Sequence, residues 1–278
     1  MRIDAHQHFW RLDRGDYGWL TPDLAPLYRD FEPDDIAPHL FANGISGTIL
    51  VQAAPTKDET DFLLALAGQH KMIRGVVGWV DFDHPNAENE IASYAERPKL
   101  VGLRPMIQDI DDDEWMLKPE LTPAFQAIIA TKLVFDALTL PRHLKNLSKL
   151  LARHPELRVV IDHASKPEIA SRHFEEWAEQ MARLASETNA FVKLSGLVTE
   201  ASSDWTIDDL RPYVDHLIAQ FGPHRLVWGS DWPVCTLAST YGRWCKTTEA
   251  LLVGLSEAEQ SAVWGLNALK LYGLEGTQ

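Results

Sequence analysis

The feature that most constrains this chain is the eightfold recurrence of a short β-branched run followed by a helical stretch. The runs RIDAH, SGTILVQ, IRGVVGWV, LVGLRP, LVFDAL, LRVVIDH, FVKLSG and RLVWGSD begin near Arg2, Ser46, Ile73, Leu100, Leu133, Leu157, Phe191 and Arg225. Most are continuously apolar rather than alternating, as parallel strands covered on both faces are. Between them KDETDFLLALAGQH, PRHLKNLSKLLARH, SRHFEEWAEQMARLASE and TIDDLRPYVDHLIAQFG carry amphipathic spacing. Several of these open with acidic or hydroxyl residues suited to a first helical turn. The tail SEAEQSAVWGLNALKLYG reads as a closing helix. Such strand–helix units with right-handed crossovers predict a (β/α)8 TIM barrel. With no low-complexity linker, they predict one domain over residues 1–278. An open doubly wound sheet would announce a nucleotide site by a glycine-rich turn after the first strand; here that turn is HQHFW.

Charge narrows the partners. With 26 basic against 40 acidic side chains the formal charge is −14, which argues against nucleic acid and against an anionic membrane surface. Two cysteines, Cys235 and Cys245, make no disulfide framework. The chain opens directly into MRIDAHQHFW without the pattern of a secretory leader, and no apolar segment approaches the length of a membrane span. The expectation is a cytoplasmic protein acting on a small molecule. The oligomeric state is left open, a homo-oligomer included.

Chemistry concentrates at the strand ends. His6 and His8 close the first strand two residues apart, so alternation places them, with Asp4, on one face. If that face is inward, two imidazoles stand at the barrel mouth, where these folds place catalysis. Asp231 ends the eighth strand, which in a closed barrel lies beside the first. It is either the cap of a following helix or a general base and metal ligand beside the histidines. His163 ends the sixth strand as a third imidazole, with Asp162 expected to point away into the strand–helix interface. Arg104, before Pro105, is suited to hold a carboxylate or carbonyl oxygen, or else forms a surface ion pair. Gln52, Asp81, Gln108, Asp136, Lys166, Ser195 and Glu200 cluster at or beyond strand ends, where hydrogen bonding and capping are the plainer uses. Of these, Gln52, Gln108, Asp136 and Lys166 are assigned with Arg104 to substrate. Two long connections, Phe9 to Pro33 and Trp232 to about Thr247, carry Trp10, Tyr17, Trp19, Trp232, Tyr241 and Trp244. Their rings form either walls for a sugar-like ring, Trp10 and Trp232 foremost, or hydrophobic cover for the mouth.

The ordered segments RIDAHQHFWR, VQAAPTKDETDFLL, GVVGWVDF, VGLRPMIQD, VVIDHASKP, VKLSGLVTE and WGSDWPV resemble the sugar-lactone hydrolases of the amidohydrolase superfamily (amidohydrolase type 2) from end to end. The likeness is strongest to the L-fuconolactonases, with L-rhamnonolactonases and pyrone-dicarboxylate lactonases as relatives. The resemblance implies a barrel hydrolase that opens a cyclic ester. Asp231 would activate water, while His6, His8 and His163 bind a metal or polarise the carbonyl. Two-metal relatives use a bridging carboxylated lysine and a further histidine. Here the corresponding strands end in Arg104, Asp136 and Ser195, which leaves one divalent ion or none. Zinc is favoured by imidazoles with one carboxylate, and whether catalysis needs it stays open. The alternatives are a metal-dependent non-oxidative decarboxylase of the same superfamily and, from another class, a non-catalytic sugar-acid-binding barrel.

Overall fold

A computed structural model describes residues 1–276, so the last two residues of the expected 1–278 domain lie outside the described residues. Its sheet has eight parallel strands in chain order, β1 to β8: Arg2–Gln7, Ile45–Val51, Ile73–Gly78, Leu100–Leu103, Val134–Ala137, Val159–Ile161, Phe191–Leu194 and Leu226–Trp228. The expected runs begin within two residues of these strands, and the eighth, RLVWGSD, runs three residues past the end of its strand. Helices α1 to α8 follow them in turn: Pro33–Ala42, Lys57–Gln69, Ala87–Ala95, Thr122–Thr131, Leu144–Arg153, Glu175–Glu187, Ile207–Phe221 and Tyr241–Leu251. Closure runs past the end of β8, where the Asp231 N–H donates to the His6 carbonyl and the His8 N–H to the Trp232 carbonyl, both at 2.7 Å. This is a (β/α)8 TIM barrel.

Two apolar clusters hold it together. Ile49, Val51, Val77, Val101, Val134, Val160 and Val227 form an inner cluster with Ala268, Leu271 and Tyr272. A larger cluster, including Leu50, Val76, Leu103, Phe135, Ile161 and Leu194, lies between sheet and helices. The expected closing helix is broken into α9, Glu257–Ser261, a wide turn, and α10, Asn267–Leu271. The break falls at Gly265, where a Cβ would stand 2.9 Å from the Ile3 nitrogen. The segment thereby presses on the strand starts, and the Tyr272 hydroxyl reaches inward to donate to Asp136 at 2.8 Å. Tyr241 and Trp244, expected in a long loop, belong to α8. Among the described residues no helix is long and apolar enough to cross a membrane.

Asp4 does not share a face with His6 and His8. Asp4 pairs with Thr48 and Gln7 with Leu50, so two residues of β1 oppose one of β2. That bulge resets the alternation. His6 and His8 turn inward, while the Asp4 carboxylate accepts from the Tyr241 hydroxyl of α8 at 2.9 Å.

The connection from β1 to α1 folds back on itself, Trp10 and Phe31 exchanging backbone hydrogen bonds of 3.1 and 2.9 Å. Its tip is latched to α2. The Tyr17 hydroxyl donates to Glu59 at 2.5 Å, Arg14 lies 3.6 Å from the same carboxylate, and Thr56 donates to Asp16 at 2.9 Å. Burial pushes the Glu59 carboxyl up to about 7, against the hydrogen bonds of Tyr17 and the Ala53 N–H and the charge of Arg14. A carboxyl whose folded pKa is raised contributes stability that is full below its unfolded value. That contribution is lost as pH rises through the folded value. Wild-type stability should therefore fall between about pH 4.5 and 7 by an amount that Glu59→Gln, neutral throughout, does not lose. Melting temperatures across this range should show the Gln variant gaining on wild type as pH rises. A constant difference would show that Glu59 is already ionised in the fold.

Candidate active site

Three imidazoles and a carboxylate meet where β1, β6 and β8 end. Ligating atoms of His6, His163 and Asp231 all lie within 4.8 Å of one another, and the three residues are buried. His8 joins through Asp231, its Nε2 standing 3.3 Å from Oδ1. The His8 Nδ1 lies 2.8 Å from the Val51 carbonyl, which can only accept, so Nδ1 carries the proton. Nε2 then turns a lone pair toward a carboxylate oxygen, an arrangement that asks for a proton or a cation between them. This donor set of imidazoles and one carboxylate fits a divalent ion such as zinc.

The backbone carries unusual conformations to achieve this. Asp231 has φ 57°, and its carboxylate faces the histidines instead of capping the turn that follows. After β6, His163, Ala164, Ser165 and Lys166 have φ of 53°, 50°, 61° and 51°, a full left-handed turn without glycine. Each such residue costs about 1–2 kcal/mol, and strain of that kind persists where surrounding structure imposes it. Here the Ala164 carbonyl accepts from the Trp177 indole at 2.8 Å and Ser165 meets Thr139 at 2.5 Å. His163 Nδ1 meets Ser195 at 2.9 Å. Gly196 is required beside them, because a Cβ there would stand 2.5 Å from His163 Nδ1.

The same turn explains a wrong expectation. Asp162 does not point into the strand–helix interface, because Val160 faces the barrel interior and Asp162, two residues on, follows it. It is His163 that alternation would send outward and that the left-handed turn brings back. Asp162 lies 2.9 Å from Lys193, 3.4 Å from Arg104 and 3.7 Å from His6. Burial opposes its charge, but Lys193, His6 and Arg104 outweigh that and hold its carboxyl well below the usual range.

Lys193, on β7, is the residue the sequence analysis missed. Its Nζ lies 2.5 Å from Asp136, 2.9 Å from Asp162 and 3.2 Å from His6 Nδ1, with no exposure. The available signal was a lysine in the middle of an apolar parallel strand, which has no route to solvent and must be paired inside. Asp136, assigned to substrate, is instead a buried partner of Lys193 and Tyr272 beneath the site. Its carboxyl is pushed up to about 6 by burial, against the pull of Lys193. His6 is held well below its ordinary value, by burial first and then by Lys193. His163 is pushed down to about 4, by burial first, so both imidazoles are neutral near pH 7. For Asp231 burial would raise the carboxyl, but His163, His8 and His6 together hold it well below the usual range, so it is ionised.

Above this floor opens a cleft of about 190 Å³, lined by His8, His163, Asp231, Arg104, Lys166 and Gln108 on its polar side. Trp19, Met106, Leu138 and Val234 supply the apolar side. Gln52 does not reach the cleft. It is buried, and its amide donates to the Arg104 carbonyl at 2.7 Å, while the Arg104 guanidinium donates to the Gln52 carbonyl. Gln52 therefore positions Arg104. Trp10 and Trp232, expected as walls, are also buried, packed on Phe31 with ring centroids 5.2 Å away in each case. The ring presented to the cleft is Trp19, 37% exposed, its indole N–H donating to the Ala53 carbonyl at 2.8 Å. The long β1–α1 connection buries Phe9, Trp10, Tyr17 and Phe31 because they form its own core.

Residues 3–274 match the amidohydrolase family described as Amidohydro_2. The chain belongs to this family. It is 43% identical over 280 residues to an L-fucono-1,5-lactonase of Burkholderia ambifaria, covering 99% of this chain and 96% of that one. It is 37% identical to an L-fucono-1,5-lactonase of Burkholderia multivorans, again covering 99% and 96%. A crystal structure of an amidohydrolase from Burkholderia multivorans with bound zinc superposes with a TM-score of 0.91 at 37% identity, covering 98% of this chain and 99% of that one.

Proposed function

We propose that the chain is a sugar lactonase, a carboxylic ester hydrolase that opens a small polyhydroxylated ring such as an L-fuconolactone-like aldonolactone. The observation that carries this reading is a buried carboxylate, Asp231, set among three imidazoles at the floor of a cleft sized for one small ring. The two L-fucono-1,5-lactonases similar to it along their whole length support the substrate class.

Asp231 takes a proton from water, and the oxygen of that water bonds to the lactone carbonyl carbon. The Arg104 guanidinium stabilises the oxyanion, its buried Nε–H having no partner among the described residues. The Ser195 hydroxyl serves either tautomer of His163, so Nε2 offers the oxyanion a proton or an ion a lone pair. His6, His8, His163 and Asp231 would hold one divalent ion, zinc by their chemistry, and bound there it would polarise the carbonyl and acidify water. Gln108 and Lys166 face the substrate's polar edge, and Trp19 offers a flat apolar face to its C–H groups. With Cys235 and Cys245 both free and buried, the chain suits a reducing cytoplasm.

A site that reads hydroxyls rejects analogues lacking them, because its buried polar groups are then left unpaired. kcat/KM for L-fuconolactone should exceed that for unsubstituted butyrolactone by at least roughly a hundredfold. Comparable rates on both would reduce the assignment to a generic esterase.

A further inference from the structure

Two cations face the cleft, and among the described residues only one of them is hydrogen-bonded through its side chain. Arg104 is anchored by Gln52, by Asp162 at 3.4 Å and by His6 at 3.4 Å. The Lys166 side chain makes no hydrogen bond among the described residues, and its closest opposite charge is Glu200, 4.0 Å away. Its ammonium is placed there by the left-handed turn. Residues three apart in such a turn come close to one face, so the turn delivers His163 and Lys166 to the same cleft. An extended exit from β6 would send the two to opposite faces. The four left-handed residues of this turn thus carry an ammonium with no hydrogen bond among the described residues to the cleft that His163 lines.

We propose that Lys166 is the general acid of the reaction, protonating the ring oxygen as the lactone opens. The proposal rests on the lactonase reading above. Asp231 has taken one proton from water, and the water oxygen has bonded to the carbonyl carbon. When the tetrahedral adduct collapses, the bond between that carbon and the ring oxygen breaks and its electron pair stays on the ring oxygen. That oxygen takes a proton from Lys166 and leaves as a free hydroxyl, with a carboxylic acid as the other new group. The proton held by Asp231 returns to the Lys166 amine, and the product acid ionises, so atoms and charge balance. The ring oxygen is bonded directly to the attacked carbon, so an acid beside His163 is within reach of it once the carbonyl is held by Arg104. Glu200 is the nearest opposite charge to the amine, at 4.0 Å.

The test uses Lys166→Gly, which suits the φ of 51° and leaves room for an added amine, with Lys166→Gln as a second variant. On L-fuconolactone, kcat of the Gly variant should fall by about 10²–10⁴-fold with KM little changed. Methylammonium should restore part of that rate in the Gly variant and none in wild type. A rise in KM with kcat unchanged in both variants would overturn the proposal and make Lys166 a binding residue only. A loss of kcat that no alkylammonium restores, in variants with wild-type circular dichroism, would also overturn it. A wild-type protein inert on every lactone would sink the lactonase reading itself, whereas an active wild type with unimpaired variants would sink only the role of Lys166.

Discussion

Asp231→Asn should retain the fold and lose lactonase activity by about 10²–10⁴-fold, the usual effect of removing a general base. The amide is nearly the same shape but cannot accept the proton of the attacking water. The structure predicts little disturbance, because the backbone of Asp231 is fixed independently of its carboxylate, by its N–H on the His6 carbonyl and its carbonyl on the Cys235 N–H. The left-handed φ of 57° is one that asparagine adopts as readily as aspartate. The loss should appear in kcat and in kcat/KM together, since the interaction is made in the transition state. Near-wild-type turnover by a folded variant would return Asp231 to a structural role and remove the catalytic reading of the three histidines with it.

Lys193→Met should destabilise the protein by about 3–5 kcal/mol, the usual cost of stripping one partner from a buried ion pair. Methionine fills much of the lysine's volume, so the effect isolates the charge. Without the ammonium, Asp136 and Asp162 face each other inside the barrel with only Arg104 in compensation, at 3.4 Å from Asp162. For a chain of this length the melting temperature should fall by roughly 10 °C. Adding Asp136→Asn and Asp162→Asn should recover part of the loss, because the uncompensated charges are then gone. A melting temperature unchanged in Lys193→Met would mean that the network is not ionised as its 2.5 and 2.9 Å contacts indicate.

Much of this was legible in the sequence, for reasons that individual residues make plain. The strands were readable because their apolar runs answer to burial on both faces. The meeting of His6 with Asp231 followed from topology, since closure of an eight-stranded barrel brings the last strand beside the first. Alternation failed wherever the backbone departed from a regular strand. The bulge at Ala5 and His6 put His6 and His8 on the opposite face from Asp4, and the left-handed turn after Asp162 reversed His163. Neither deviation has a glycine to announce it. Lys193 was hidden for another reason: the carboxylates that neutralise it, Asp136 and Asp162, and the His6 ring beside it are scattered across the sequence. Trp10 and Trp232 resembled walls because sequence cannot separate a ring that covers a core from one that faces a ligand. Trp19, although packed edge-on against Trp10, keeps its outer side open to the cleft.

The most direct measurement is acid release from L-fuconolactone by the purified protein, followed with a pH indicator, beside carbon dioxide release from aromatic acids. A sugar lactonase acidifies the first solution at a rate set by enzyme concentration, falls by at least about a hundredfold on Asp231→Asn, and releases no carbon dioxide. Carbon dioxide release from an aromatic acid, with no acidification from any sugar lactone, would contradict the assignment and make the barrel a decarboxylase.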